Sequence, residues 1–249
     1  LVVVAMALSG TSIDASRWRD AAAERASAAL GRPVILEGAL ELAPTLSREV
    51  AVRVGALRIL NRPSSTGLEF LAIDKLHARV DLFEALRGRL RSSSVEARRV
   101  DLRLERGADG TGNWTASTRP DSRPRQPAID IARIMLQRLD IHYHDARSAM
   151  RRSVELDDLS VSAGGDRPLR LAARGRLEPG RDFAVAIEGG PMRLFQDDAE
   201  NWPFTVEVNA QGARLHASGA IDVRQGTARV QVEARAVHEG FWAQLRQDN

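Results

Sequence analysis

From Val34 onward the chain alternates apolar and polar residues with a period of two. Val50, Val52 and Val54 are spaced by Ala51 and Arg53, and Leu76, Ala78, Val80 and Leu82 by His77, Arg79 and Asp81. Val100, Leu102 and Leu104 are spaced by Asp101 and Arg103, while Ile141 and Tyr143 sit among Asp140, His142 and His144. The pattern continues through Leu169, Leu171 and Ala173, then Phe183, Val185 and Ile187, then Val206 and Val208. It closes with Ala213, Leu215 and Ala217 and with Ala228, Val230, Val232 and Ala234. Successive side chains of a strand point to opposite faces, so this spacing predicts about a dozen strands, each with one apolar and one polar face. Turn residues punctuate them at Asn61-Arg62-Pro63, Gly107 to Gly112, Gly164-Gly165-Asp166, Pro179-Gly180, Gly189-Gly190-Pro191 and Gln225-Gly226. Connections this short predict antiparallel neighbours.

Helical spacing occurs first over Asp14 to Leu30. Trp18, Ala22, Ala26 and Ala29 fall on one face and Arg17, Asp20, Glu24 and Ser27 on the other, before Gly31 and Pro33 end the run. A face made mostly of alanine suits close packing on a sheet. A short second helix is predicted over Leu82 to Arg87, stopped by Gly88. Leu1 to Leu8 (LVVVAMAL) is wholly apolar but far below the roughly 20 residues that span a bilayer. Residues 1–10 therefore read as the remnant of an N-terminal membrane anchor. Ser117 to Pro127 (STRPDSRPRQP) is polar and proline-rich, as a linker or loop is. It divides an expected helix-plus-sheet unit over 12–116 from a second β unit over 128–240, with 241–249 as a truncated tail.

Composition narrows the chemistry. The 249 residues include no cysteine, which excludes disulfide frameworks, thiolate metal sites and cysteine nucleophiles. Aromatics are 4% of the chain, so the apolar face is aliphatic. The net charge of +3 comes from acids and arginines interspersed along the length, with Lys75 the only lysine. Nucleic-acid binders cluster their charge and add stacking aromatics, so nucleic acid is not an expected partner. No G-x-S-x-G elbow, phosphate loop or dinucleotide glycine pattern occurs. The one constellation with ligand-like spacing is His142-Tyr143-His144, whose imidazoles share a strand face with Asp140. That face is the polar one, and a catalytic zinc site needs a third ligand in a drier setting. Asn113-Trp114-Thr115 matches a glycosylation sequon and is read as chance.

Four stretches carry a resemblance. Leu30-Gly31-Arg32-Pro33-Val34-Ile35 closes the helix and opens the first long strand. Val80-Asp81-Leu82 runs through Leu86 to Gly88-Arg89-Leu90. Val100 to Glu105 forms an alternating strand, and Asp109-Gly110-Thr111-Gly112-Asn113-Trp114 follows it. In order and spacing these resemble the N-terminal region of the AsmA family of bacterial envelope proteins, over about 1–116. Leu139 to Asp145 and Trp202 to Ile221 are similar more loosely. Family members are usually much longer, which suggests a fragment.

The resemblance implies a mainly β (α+β) fold: a long curved antiparallel sheet forming an apolar trough, with the N-terminal amphipathic helix packed on it. It implies a protein anchored in the inner membrane with its bulk in the periplasm, akin to the bridge-like lipid-transfer group. Phospholipid movement and outer-membrane maintenance would be its work, with acyl chains, the inner membrane and other envelope proteins as partners. No enzyme activity, catalytic residue or cofactor is implied. In the first unit Val50, Val52, Val54, Val80, Leu102 and Leu104 would line the trough, and Ile141 would begin its run in the second. Leu169, Leu171, Val185, Ile187, Val206 and Val208 would continue it, ending in Leu215, Val230 and Val232. About a dozen strands at about 4.8 Å per step span roughly 55 Å, one section of a conduit. Two other readings share the alternation: a closed structural β-sandwich, and a metal-dependent hydrolase using His142 and His144.

Overall fold

A computed structural model describes residues 12–61, 67–81, 84, 90–115, 129–164, 166–177, 180–193 and 201–236. The predicted anchor remnant, the proline-rich segment 117–127, the tail 241–249 and nearly all of the second predicted helix lie outside these residues.

The elements, in chain order, begin with β1 (Ile13–Asp14), a 3-10 turn (Ser16–Trp18) and α1 (Arg19–Leu30). Then come β2 (Val34–Pro44), β3 (Glu49–Leu60), β4 (Glu69–Asp81), β5 (Leu90–Arg106), β6 (Ile129–Ile131) and β7 (Arg133–Asp145). The chain continues with β8 (Met150–Ser162), β9 (Pro168–Leu177), β10 (Arg181–Pro191), β11 (Trp202–Ala210), β12 (Ala213–Asp222) and β13 (Thr227–Ala236). The fold is therefore mainly β with one short helix at the N-terminal side, the class the alternation predicts. By internal contacts it divides into two compact units, Leu1–Glu155 and Leu156–Asn249.

In the first unit the strands follow the order β1-β2-β3-β4-β5-β7. β2, β3, β4 and β5 pair antiparallel, as short connections require. The β5–β7 pair departs from the expected antiparallel sheet: it is parallel, with Val100 beside Leu139 and Leu102 beside Ile141. Two strands running the same way cannot be joined by a tight turn and need a crossover of about a dozen residues or more. The stretch from Gly107 to Ala132 is that crossover, and the proline-rich segment lies within it.

The helix begins later than its spacing suggested. Ile13 and Asp14 pair with Leu42 and Glu41 of β2 instead, and the Asp14 carboxylate accepts the Ser16 N–H at 2.8 Å. Gly31, left-handed at φ 63°, ends α1 with its N–H on the Ser27 carbonyl. Ala22 and Ala26 turn toward the protein as expected, but Trp18 is 47% exposed, with the Arg17 guanidinium 4.1 Å from its ring centre. The side chain of Ala29 lies outside the described residues. Ser27, expected outward, is half-buried. Its hydroxyl donates to the Ala23 carbonyl at 2.7 Å and accepts the Val34 N–H at 2.8 Å, tying the end of α1 to the start of β2. Beneath this edge Ala15, Leu40 and Val54 are buried, with Leu36, Leu42, Val52 and Leu76 packed on them.

A row of irregular positions crosses the first unit. Gly38, Lys75, Arg99 and Arg138 have φ of 72°, 53°, 54° and 58°. The register slips at Glu37/Leu40, at Ile73/Asp74 and at Asp74/His77. Arg99 and Arg138 are neighbours, lying between the pairs Arg98–Gln137 and Val100–Leu139. On β5 the inward residues change parity here, from Val95 and Ala97 to Val100, Leu102 and Leu104. On β7 they change from Ile134 and Leu136 to Leu139, Ile141 and Tyr143. In both strands two consecutive exposed residues separate the sets: Arg98 and Arg99, then Gln137 and Arg138. A one-residue slip moves every later side chain to the other face, and a bulge residue absorbs that slip, so both sets share a face.

In the second unit β9 to β13 form a regular antiparallel meander. Trp202, at the start of β11, lies against Gly189 and is only 6% exposed, with its indole N–H donating to the Pro191 carbonyl at 3.2 Å. A methyl group on Gly189 would sit 2.2 Å from the indole ring. Gly189→Ala is expected to lower unfolding free energy by about 3 kcal/mol, because the ring must leave its seat. Chemical denaturation followed by tryptophan fluorescence measures this.

Candidate functional site

The second unit carries a continuous apolar surface built by register alone. Leu171, Ile187, Val206, Ala217 and Val232 stand side by side across β9 to β13. Two rows flank it: Ala173, Val185, Val208, Leu215 and Ala234 on one side, and Leu169, Gly189, Phe204, Gly219 and Val230 on the other. Every position of these three rows is apolar. The alternate rows present the other face and are mostly polar, for example Arg170, Glu188, Thr205, Ser218 and Gln231.

This apolar face is not packed as a protein interior. Ala173 and Ala217 are buried, at 6% and 8%, but they are shielded by larger neighbours in their own sheet. Leu169, Leu171, Val185, Ile187, Val206 and Val208 are only half-buried. Leu215, Val230 and Val232 are 36%, 50% and 60% exposed. Among the described residues of this unit there is no second sheet or long helix to cover them. Side chains in the middle of a two-layer core are typically removed from water almost completely.

The first unit splits its candidates into two patches on either side of the bulge row. Val50, Val52 and Val54 pair with Val80, Ala78 and Leu76 across β3 and β4. Of these, Val54 is buried beneath the α1 edge, and Val50, Val52 and Val80 are half-buried. Leu102 lies between Leu71 and Ile141, and Leu104 beside Tyr143. All three candidates of this second patch are half-buried.

The sequence motifs meet in space as well. Arg32 and Asn113 are 81 positions apart, yet the Arg32 guanidinium donates to the Asn113 carbonyl and lies 4.3 Å over the Phe70 ring centre. The Asn113 amide oxygen accepts the Glu105 N–H at 2.9 Å. Its amide nitrogen donates to Asn61 Oδ1 at 3.1 Å and to the Arg103 carbonyl at 2.8 Å. Asn61 and Asn113 are both buried. The loop before them is a closed turn: Asp109 accepts the N–H of Thr111 at 2.9 Å and its hydroxyl at 2.7 Å. Those two bonds, the backbone one first, hold the Asp109 carboxyl below its ordinary value. Trp114 folds back over Gly112, where a methyl group would sit 2.4 Å from the ring, and its ring centre is 6.2 Å from that of Tyr143. These residues therefore fasten the crossover to the sheet. The sequon is consistent with this: the Asn113 amide is buried and fully engaged, leaving no free nitrogen for a glycan.

His142 is exposed and His144 half-buried on β7. His142 lies 4.0 Å from Asp101, but that carboxylate already holds Arg103 through two bonds of 3.0 and 3.2 Å. The pairing, hydrogen bond first and charge second, keeps the guanidinium above its ordinary value, so a metal would have to displace a fixed cation. No group of three metal-ligating residues occurs among the described residues. A concavity of about 790 Å³ in the second unit is rimmed by Arg174, Arg214, Arg235, Asp157 and Asp182 and so mixes both signs of charge.

Among the described residues of the second unit, one sheet face is aliphatic with no second layer over it, which defines a class of β proteins that expose an apolar surface instead of enclosing a core. The sequence model of the AsmA family matches residues 1–236, and the chain belongs to that family. A comparison with curated proteins found no match. Among the described residues no helix is long and apolar enough to cross a membrane.

Asn113→Ala is expected to cost about 3 kcal/mol of stability, since it strips partners from buried groups on Asn61, Arg103 and Glu105. Thermal unfolding of the purified chain reads this. The sign for Asp109 follows from its lowered value: its stabilising contribution is complete above the unfolded carboxylate range and lost as pH falls through the folded value. Carbon-detected NMR titration should place its midpoint below that of a typical exposed aspartate, and Thr111→Ala should raise it.

Proposed function

We propose that the apolar face of β9 to β13, with the two patches of the first unit, shields lipid acyl chains from water. The chain would act as a membrane-anchored section of an envelope conduit for phospholipid, held at the inner membrane with its bulk in the periplasm. The observation that carries this reading is the in-register apolar surface whose larger side chains stay half in water. An exposed aliphatic surface of this extent marks an interaction site, and its chemistry matches hydrocarbon better than sugars or nucleotides. Membership of the AsmA family supports an envelope role.

The energetics give such a surface a purpose. At about 0.8 kcal/mol per methylene, a lipid with roughly 30 methylenes costs on the order of 25 kcal/mol to place in water. A continuous aliphatic path removes most of that barrier. Its walls make no directional bonds, so selection among acyl chains would be weak.

Photo-crosslinking residues at Val206 and, separately, at Glu207 test this in intact cells. Val206 lies in the central apolar row, and Glu207 points to the other face. Lipid adducts are expected at Val206 and not at Glu207. A folded, membrane-associated protein with adducts at neither position would favour a closed structural scaffold and remove the lipid path.

A further inference from the structure

The row of irregular positions in the first unit is not chemically uniform. On β2 the left-handed position is Gly38, where the missing Cβ makes φ of 72° free of strain. On β4, β5 and β7 it is Lys75, Arg99 and Arg138, at 53°, 54° and 58°. Lysine and arginine rarely adopt this backbone, and strained positions of this kind gather at functional sites. A slip in register needs only a glycine, so cations at all three positions call for another reason. Lys75 is moreover the only lysine of the chain.

These cations lie close together. Asp74, Arg98 and Gln137 are register partners across β4, β5 and β7. Lys75 follows the first of them in the chain, Arg99 the second and Arg138 the third. Two strand spacings make about 10 Å, so Lys75, Arg98, Arg99 and Arg138 share a patch of roughly that width. All four are exposed among the described residues. The Asp74 carboxylate is already taken, by Arg58 at 3.0 Å and by Arg99 at 3.8 Å. Lys75, Arg98 and Arg138 enter no ion pair among the described residues.

A concavity of about 450 Å³ opens beside them, lined by Lys75, Arg98, Gln137, His77 and Glu96, with Arg53 held by Glu41 at 3.5 Å. Glu96 is the one lining carboxylate outside an ion pair, so the surplus charge is positive. Like charges set side by side repel, and an anion between them removes that cost. Guanidinium forks and an ammonium match the oxygens of a phosphate group. No Phe, Trp or Tyr lines the concavity to stack a base or a sugar.

We propose that Lys75, Arg98 and Arg138 form an anion site on the polar face of the first unit, suited to a phosphate group, whether free or carried by a lipid headgroup. The left-handed backbone at Lys75 and Arg138 is the device that sets their side chains beside Arg98. The site is separate from the aliphatic face and stands whether or not acyl chains occupy that face.

Two measurements on the purified full chain test this: titration with inorganic phosphate followed by phosphorus NMR, and flotation with phosphatidylcholine vesicles with or without phosphatidylglycerol. Saturable binding is expected to phosphate or to the anionic vesicles. Vesicles alone would assign the anion to a membrane surface, and phosphate alone to a free ion. Lys75→Gln/Arg98→Gln/Arg138→Gln should weaken that binding at least about ten-fold, with unchanged circular dichroism. Arg48→Gln, in the exposed turn between β2 and β3, should bind as the parent does. Arg138→Gly should also weaken binding while unfolding at a temperature no lower than the parent, because glycine relieves the backbone it replaces. A parent that binds neither phosphate nor anionic vesicles would overturn the proposal. So would a folded triple variant that binds like the parent, or an Arg48→Gln variant weakened as much as the triple one.

Discussion

A sheet in a single layer has two faces, and this chain makes only one of them polar. That constraint governs the rest of the molecule. In β9 to β13, where the described residues supply no second layer, large side chains gain mainly the shielding that neighbours in the same sheet provide. Among the described residues no large side chain falls below 2% exposure. The backbone ladder therefore carries an unusual share of the internal stabilisation, and its interruptions need fastening by specific polar contacts. The Ser27 hydroxyl at the end of α1 and the Asn113 amide at the crossover both do this.

The same constraint gives the family motifs a physical meaning. Arg32, Asp109, Gly112, Asn113 and Trp114 contain the residue types of a reactive centre, but each is spent on closing a turn or joining distant segments. They hold the one place where the sheet changes from antiparallel to parallel pairing. The aliphatic surface of β9 to β13 carries no motif, because any combination of valine, leucine, isoleucine and alanine preserves it.

The regular parts of the fold were legible in the sequence because period-two alternation reports the face of each residue directly. In β9 to β13 the alternation alone puts Val185, Val208 and Leu215 on the apolar side of their strands, and the structure pairs them in one row. Register across irregularities was not legible. Arg99 and Arg138 adopt a left-handed backbone that nothing about arginine favours, and the change of parity around them looks like noise until the two strands are seen side by side. The parallel pairing of β5 with β7 was hidden for another reason. The proline-rich stretch reads as a domain linker, yet its length is what a crossover requires. Ser27 was misread because a polar residue was taken to face water, whereas its hydroxyl joins backbone groups at the end of α1 and the start of β2. The histidine pair was placed correctly on the polar face, where the Arg103 cation already occupies the nearest carboxylate.

The crossover between β5 and β7 also orders events in time. The β2–β3, β11–β12 and β12–β13 pairs are made by strands adjacent in the chain and joined by two to four residues, so each can zip from its own turn at small entropic cost. The β5–β7 pair must instead close the stretch from Gly107 to Ala132 before its first ladder bond forms. Rates of folding fall as contacts become less local. Assembly of the first unit thus has a natural bottleneck at this joint, whereas β9 to β13 pair with their neighbours in chain order.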